Sequence, residues 1–216
     1  KNPLGDTVYN LHNKHDIFIK YIDHKKIINI IKNVLSEGSY GTSDFIILRQ
    51  TALRNPKKGY AQQLHNDTRI SGLRYPLIIQ AIWMIDDFTK FNGATRLVSN
   101  SHKINAFPKY KKKYKKEKII EGKKGSVLLL NASMWHGSSK KTSDDDRLGM
   151  IFSYSRWFLK PSFDHTLNTP LKIYNKLSNY QRELLGFKFS SPKDEFERKS
   201  SRSSKNLKPA KNYILP

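Results

Sequence analysis

The 216-residue chain contains no cysteine. That excludes a disulfide framework, thiol catalysis, zinc-ribbon sites and iron–sulfur clusters. Long apolar runs are missing as well. None approaches the ~20 residues a membrane helix needs, and no signal-peptide pattern opens the chain, so no membrane span and a cytoplasmic location are expected. Acidic residues are scarce, 18 Asp+Glu against 40 Lys+Arg, for a net charge of +22. Arginine is scarce among the bases, 10 against 30 Lys, whereas dedicated phosphate readers lean on its bidentate fork. Residues 103–124 carry a net +8 and residues 188–216 a net +5, so over half of the excess lies in two stretches that read as a loop and a tail. A solvated lysine-rich surface is expected, with no specific nucleic-acid partner.

What is present suffices for a packed core, since 37% of residues are hydrophobic and 12% aromatic. Residues 24–35 space Ile27, Ile28, Ile30, Ile31, Val34 and Leu35 as on one amphipathic helix that closes near Gly38. The period then changes. Phe45–Leu48, Tyr60–Leu64, Ile78–Ile85, Val127–Leu130 and Met150–Phe158 are short runs rich in β-branched and aromatic residues, separated by Gly, Asn, Asp and Pro. Ile78–Ile85 is apolar on both faces, which predicts a central strand covered on each side. Thr169 and Pro170 read as the cap and first turn of another helix, with Leu171, Tyr174, Leu177, Leu184 and Leu185 as its buried stripe. The fold class expected is mainly β with flanking helices, a sandwich or barrel. The segments expected are a helical 1–44, a β core over 45–160, a helix packed on it over 161–187, and a basic, poorly ordered tail over 188–216.

The chemistry-bearing residues start with Gln63-Leu64-His65-Asn66-Asp67. On a strand the side-chain period is two, so His65 and Asp67 share a face and make half of a divalent-metal site. Alone the pair is weak, because 7 His and 12 Asp in 216 positions give about 0.4 such pairs by chance. A second His follows, His136, in Ser133-Met134-Trp135-His136-Gly137-Ser138 at the end of the run Val127–Asn131. Two His and one carboxylate form the facial arrangement of non-haem Fe(II) oxygenases. In an octahedron it leaves three positions open, two for a bidentate 2-oxo acid and one for O₂. Arg147 comes eleven residues after His136. Facing sheets lie ~10 Å apart, about the span of a 2-oxoglutarate chelated at one end and held at the other by a guanidinium fork.

Taken in order, these residues carry a resemblance. His65-Asn66-Asp67, Trp83-Met84-Ile85-Asp86-Asp87-Phe88-Thr89, Asn92-Gly93-Ala94-Thr95-Arg96-Leu97-Val98-Ser99-Asn100-Ser101-His102, the stretch Gly125 to Ser138, and Arg147 resemble the phytanoyl-CoA dioxygenase family of Fe(II)/2-oxoglutarate oxygenases over residues 45–158. The resemblance implies a double-stranded β-helix (a jelly roll), iron held by His65, Asp67 and His136, and 2-oxoglutarate held by Arg147, with Ser138 and Trp83 as further co-substrate contacts. It also implies O₂ as the second co-substrate and a hydroxylated small molecule as the substrate. Asp67 favours hydroxylation, because halogenating relatives carry a small residue at that place. Two departures stand out. The family's Pro-Gly-Ser-His turn reads Ser99-Asn100-Ser101-His102 here, and since Asn tolerates a left-handed turn, the turn is expected to survive. Residues before 45 match poorly, so no substrate-side contact is carried over.

The other histidines read as bystanders. His12 and His15 are expected at the surface, His102 in a turn, and His24 and His165 show no partner pattern. Tyr110 and Tyr114, four apart in the lysine run, would both face inward on a helix. A monomer or weak oligomer is expected. Two alternatives stay open: a basic nucleic-acid-binding protein, and a cupin-like module that binds metal without turnover.

Overall fold

The computed structural model describes residues 7–39 and 46–189. Among the described residues, eight strands form two antiparallel sheets. The larger has the order β1-β2-β8-β3-β6, with β1 at Thr7–Tyr9, β2 at Ile46–Arg54, β3 at Ile78–Met84, β6 at Val127–Asn131 and β8 at Gly149–Arg156. The smaller has the order β5-β4-β7, with β4 at Thr95–Val98, β5 at Glu117–Ile119 and β7 at His136–Ser138. The expected jelly roll is the fold observed.

Strand β3 shows why Ile78–Ile85 is apolar on both faces. Ile79, Ala81 and Trp83 point away from the small sheet and join the larger core with helix α1 (Lys25–Ser36) and the C-terminal helices. Ile82 and Met84 point the other way and pack with Phe88, Ala94, Leu97 and Leu130 between the sheets. Helix α1 buries Ile28, Ile31 and Leu35 as its period requires, although Ile30 is exposed. The chain then turns at Gly38, where φ is +72°. A side chain there would also collide with the Tyr75 ring, 2.6 Å from an added Cβ.

Several expectations are corrected. Tyr60–Leu64 is no strand: Gln62 and His65 donate to Ser138 and His136 carbonyls, a ladder too sparse for regular pairing. The single helix expected to begin at Thr169 is two short ones, α3 (Leu171–Tyr174) and α4 (Asn179–Leu184), and another, α2 (His165–Asn168), ends just before Thr169. Thr169 caps none of their starts. Asp164 caps α2, and Ser178 caps α4 through a reciprocal bond pair with Gln181. Leu171 is exposed, while Tyr174, Leu177, Leu184 and Leu185 are buried as expected. The N-terminal segment is not separate from the β core, because β1 is an edge strand paired to β2. Phe45 and the tail from residue 190 lie outside the described residues.

The lysine run is not helical either. Its chain turns at Lys111, φ +55°, and Tyr114 packs edge-on to Trp135 at 5.0 Å, whereas Tyr110 is 73% exposed. Asn100 does take the left-handed turn, at φ 63°. No helix among the described residues is long and apolar enough to cross a membrane.

Candidate metal and co-substrate site

The two sheets leave a cavity of about 180 Å³ between them. Gln80, Ile82 and Ile151 line it from the large sheet, and Thr95, His136 and Ser138 from the small one. His65 and His136 face each other across a two-bond backbone bridge: His65 N donates to His136 O at 2.9 Å, and His136 N to His65 O at 3.0 Å. Asp67 N donates to Ala132 O, while the Asn66 side chain accepts from Thr68 N and Arg69 N to form the turn just beyond. The spacing of two therefore places His65 and Asp67 together although the segment is no regular strand.

Each imidazole is oriented alike. Nδ1 of His65 lies 3.0 Å from Gln63 O, and Nδ1 of His136 lies 2.8 Å from Met134 O. Only an N–H satisfies a carbonyl, so both rings carry their proton on Nδ1 and present the Nε2 lone pair to the cavity. There they meet Asp67, whose Oδ1 is 3.3 Å from His65 Nε2 and whose Oδ2 is 3.5 Å from His136 Nε2. The three ligand atoms lie within 4.8 Å of one another. Acceptors converging on acceptors are poorly matched without a cation, so the donor set fits a divalent metal. A proton competes with a metal for these same atoms. Burial opposes the charged form of Asp67, but His136 and His65 beside it hold its carboxyl well below the usual range. Burial lowers and Asp67 raises the affinity of His65 for a proton, and Asp67 wins.

Gly137 lets the second His approach. A Cβ there would stand 2.9 Å from Gln62 O and 3.0 Å from Gln63 O, both backbone atoms of the segment that carries His65. Arg96 fixes the same segment, donating to Gln62 O at 2.8 Å while paired to Glu117 at 2.7 Å. Nothing in the local residue pattern points to this clamp.

At the other end of the cavity Arg147 is 3% exposed. Its guanidinium lies over the Phe88 ring, 4.5 Å from the centroid, and donates to Gly93 O at 2.7 Å. The neighbouring acids go elsewhere, Asp144 to Lys58 and Asp146 to Asn55. Ser138 also lines the cavity, its Oγ accepting from Gln62 N at 3.2 Å. Trp83 does not. It sits on the far face of β3 with its ring edge-on to Tyr21 at 5.0 Å and to His24 at 5.1 Å, so the structure removes it from the co-substrate contacts.

Gly149 shapes the guanidinium's seat, since a Cβ there would come within 2.9 Å of both Arg147 Nη1 and the Phe88 ring. Gly149→Ala is therefore expected to displace the fork and weaken 2-oxoglutarate, and Arg147→Lys, which keeps the charge but loses the fork, to cost roughly 1.5–3 kcal/mol of that affinity. An unchanged apparent constant for 2-oxoglutarate in both variants places the anchor elsewhere.

Residues 4–149 match the sequence profile of the phytanoyl-CoA dioxygenase (PhyH) family. The chain belongs to this family. Its members use Fe(II), 2-oxoglutarate and O₂. Among curated proteins, an uncharacterized protein of Mycobacterium tuberculosis is 24% identical over 175 residues, covering 76% of this chain and 64% of that one. Dioxygenase cdmA of Talaromyces verruculosus is 26% identical over 185 residues, covering 81% and 59%. The chain thus spans less than two thirds of the length of these relatives. HygX of Streptomyces hygroscopicus, solved with nickel and 2-oxoglutarate, shares the fold at TM-score 0.62 and 18% identity, covering 72% of this chain and 71% of that one. A second HygX structure, holding hygromycin B as well, aligns at TM-score 0.62 and 19% identity over 74% of each chain.

Proposed function

We propose that this protein hydroxylates a C–H bond of a small-molecule substrate, with 2-oxoglutarate split to succinate and CO₂. His65, Asp67 and His136 hold the iron, and Arg147 with Ser138 holds the far carboxylate of the co-substrate. One oxygen atom of O₂ goes to the substrate and the other to succinate. The observation that carries this reading is the sharing of one cavity by three convergent acceptor atoms and a buried guanidinium. Fe(II) and 2-oxoglutarate, when bound, supply the oxidation itself.

The chain's own residues bind, orient and exclude. The Nδ1–H bonds to Gln63 and Met134 keep both imidazoles in the ligating tautomer. Ala52, Ile82 and Ile151 give part of the cavity an apolar lining, which limits water beside the reacting centre. No side chain need act as a general base, because the bound iron and co-substrate would supply the oxidation. Anaerobic addition of Fe(II) and then 2-oxoglutarate tests the site through the visible absorption of the chelate. Succinate release tests turnover, and its absence with metal still bound would favour a non-catalytic metal module.

The lysine run supplies a further check against the nucleic-acid reading. Converting Lys111, Lys112, Lys113, Lys115 and Lys116 to Gln is expected to leave metal-dependent turnover within a few-fold, since none of these residues lines the cavity. Any nucleic-acid affinity should be weak and fall steeply with salt. Sequence-selective binding that survives physiological salt would overturn this expectation.

A further inference from the structure

One buried amide in the large sheet is not accounted for by packing. Gln80 lies in the middle of β3 and is only 5% exposed, in a strand otherwise composed of Ile78, Ile79, Ala81, Ile82, Trp83 and Met84. Its cross-strand neighbours are Leu130 and Ser153. Burying a primary amide among such residues is costly unless its hydrogen bonds are made to purpose. Gln80 Nε2 donates to Oδ2 of Asp67 at 2.5 Å. A carboxylate only accepts, which fixes which end of the amide faces it. The two histidines beside Asp67 turn unprotonated Nε2 atoms to it, so the Gln80 amide is the group that gives it a side-chain hydrogen bond.

We propose that Gln80 is a positioning residue that holds Asp67 as a one-oxygen ligand. The inference rests on the metal site assigned above and goes beyond it. A carboxylate free to rotate can chelate a divalent cation through both oxygens and so take a fourth coordination position. With Oδ2 engaged by the Gln80 amide, Oδ1 is left for the metal. Three positions then stay open, the number that a bidentate 2-oxo acid and O₂ require. The amide reaches Asp67 from a strand hydrogen-bonded on both sides, to β6 and β8. The donor is therefore as rigid as the sheet, while Asp67 itself sits in a turn beyond the His65 bridge.

The test is a Co(II) titration of the full chain without co-substrate, read by visible ligand-field absorption, which responds to coordination number and geometry. Gln80→Met keeps the bulk and removes the donor. It should weaken Co(II) binding by about 10–100-fold, the range found when outer partners of metal ligands are lost, and alter the shape of the spectrum. Gln80→Glu keeps the amide's outline and sets a second carboxylate against Asp67, so its spectrum should change as well. That second variant serves if the first fails to fold. A Co(II) spectrum and affinity equal to those of the starting protein in either folded variant would overturn the proposal. His136→Ala, titrated alongside, separates the two claims. If it binds Co(II) as before, the metal site itself is wrong. If it loses binding while the Gln80 variants do not, only the role of Gln80 fails.

Discussion

His136→Ala is expected to abolish iron-dependent 2-oxoglutarate turnover while leaving the fold in place. Loss of a residue that merely supports a metal ligand costs about 10–100-fold in affinity or activity, so loss of a ligand should cost more than ~100-fold. The fold should survive because the two roles of His136 are separable. Its backbone makes the paired bonds to His65 at 2.9 and 3.0 Å, and Ala keeps those. Its ring borders an open cavity instead of filling the apolar core, so truncation creates no sealed void of the kind that destabilises interiors. A thermal midpoint within a few degrees of the starting protein, together with turnover at background, is the expected pair of readings. Turnover near the starting rate in a folded His136→Ala protein would remove His136 from the ligand set, and with it the proposed reaction. His65→Ala should behave alike, though His65 is the more exposed of the two rings.

How far the site is legible in the sequence depends on which physical rule each residue obeys. His65 and Asp67 follow from a period of two that survives even where the segment forms only an isolated bridge. His136 and Arg147 follow from chain order. Trp83 does not, and parity explains why. Within β3, Gln80 and Ile82 line the cavity and Met84 lies on their face in the core between the sheets, while Ile79, Ala81 and Trp83 face the helices. A strand apolar on both sides gives no sign of which parity looks inward, so a one-residue error moves a side chain across the sheet. The clue was Gln80, the polar residue in an apolar run, read from its own position and not from resemblance. The elements missed, β1, β4, β5 and β7, are three or four residues long. Their pairing is set by partners distant in sequence, Thr7 with Arg54 and Thr95 with Ser138, and local pattern has no access to that.

The same limit hid His12, a polar residue in a polar stretch, which the fold buries completely. Its ring lies edge-on to His165 with centroids 5.1 Å apart. The pair joins the 3-10 turn Leu11–Asn13 to the start of α2, and Asn13 spans the same joint by donating to Asn168 O at 2.9 Å. Thr51 of β2 faces His12 at 3.5 Å, and Asp164 precedes His165 as the α2 cap. Burial drives both rings toward the neutral form: His165 is lowered to about 4, and His12 is lowered by burial and then by His165 beside it. The unfolded chain, with ordinary imidazoles near 6.5, binds protons that the folded chain refuses. Stability from this pair is therefore complete above pH 6.5 and is lost as pH falls from 6.5 toward 4. For His165 alone the loss is on the order of 3 kcal/mol by pH 4, a large share of an ordinary domain's stability. His65, raised by Asp67, works in the opposite direction, so a variant has to isolate the pair. His165→Phe keeps an aromatic ring against His12 and removes one proton site. Urea midpoints measured from pH 7.5 down to 4.5 should fall steeply in the starting protein and much less in His165→Phe. If the two proteins lose stability in parallel, acid sensitivity arises elsewhere and the buried pair is only a packing contact.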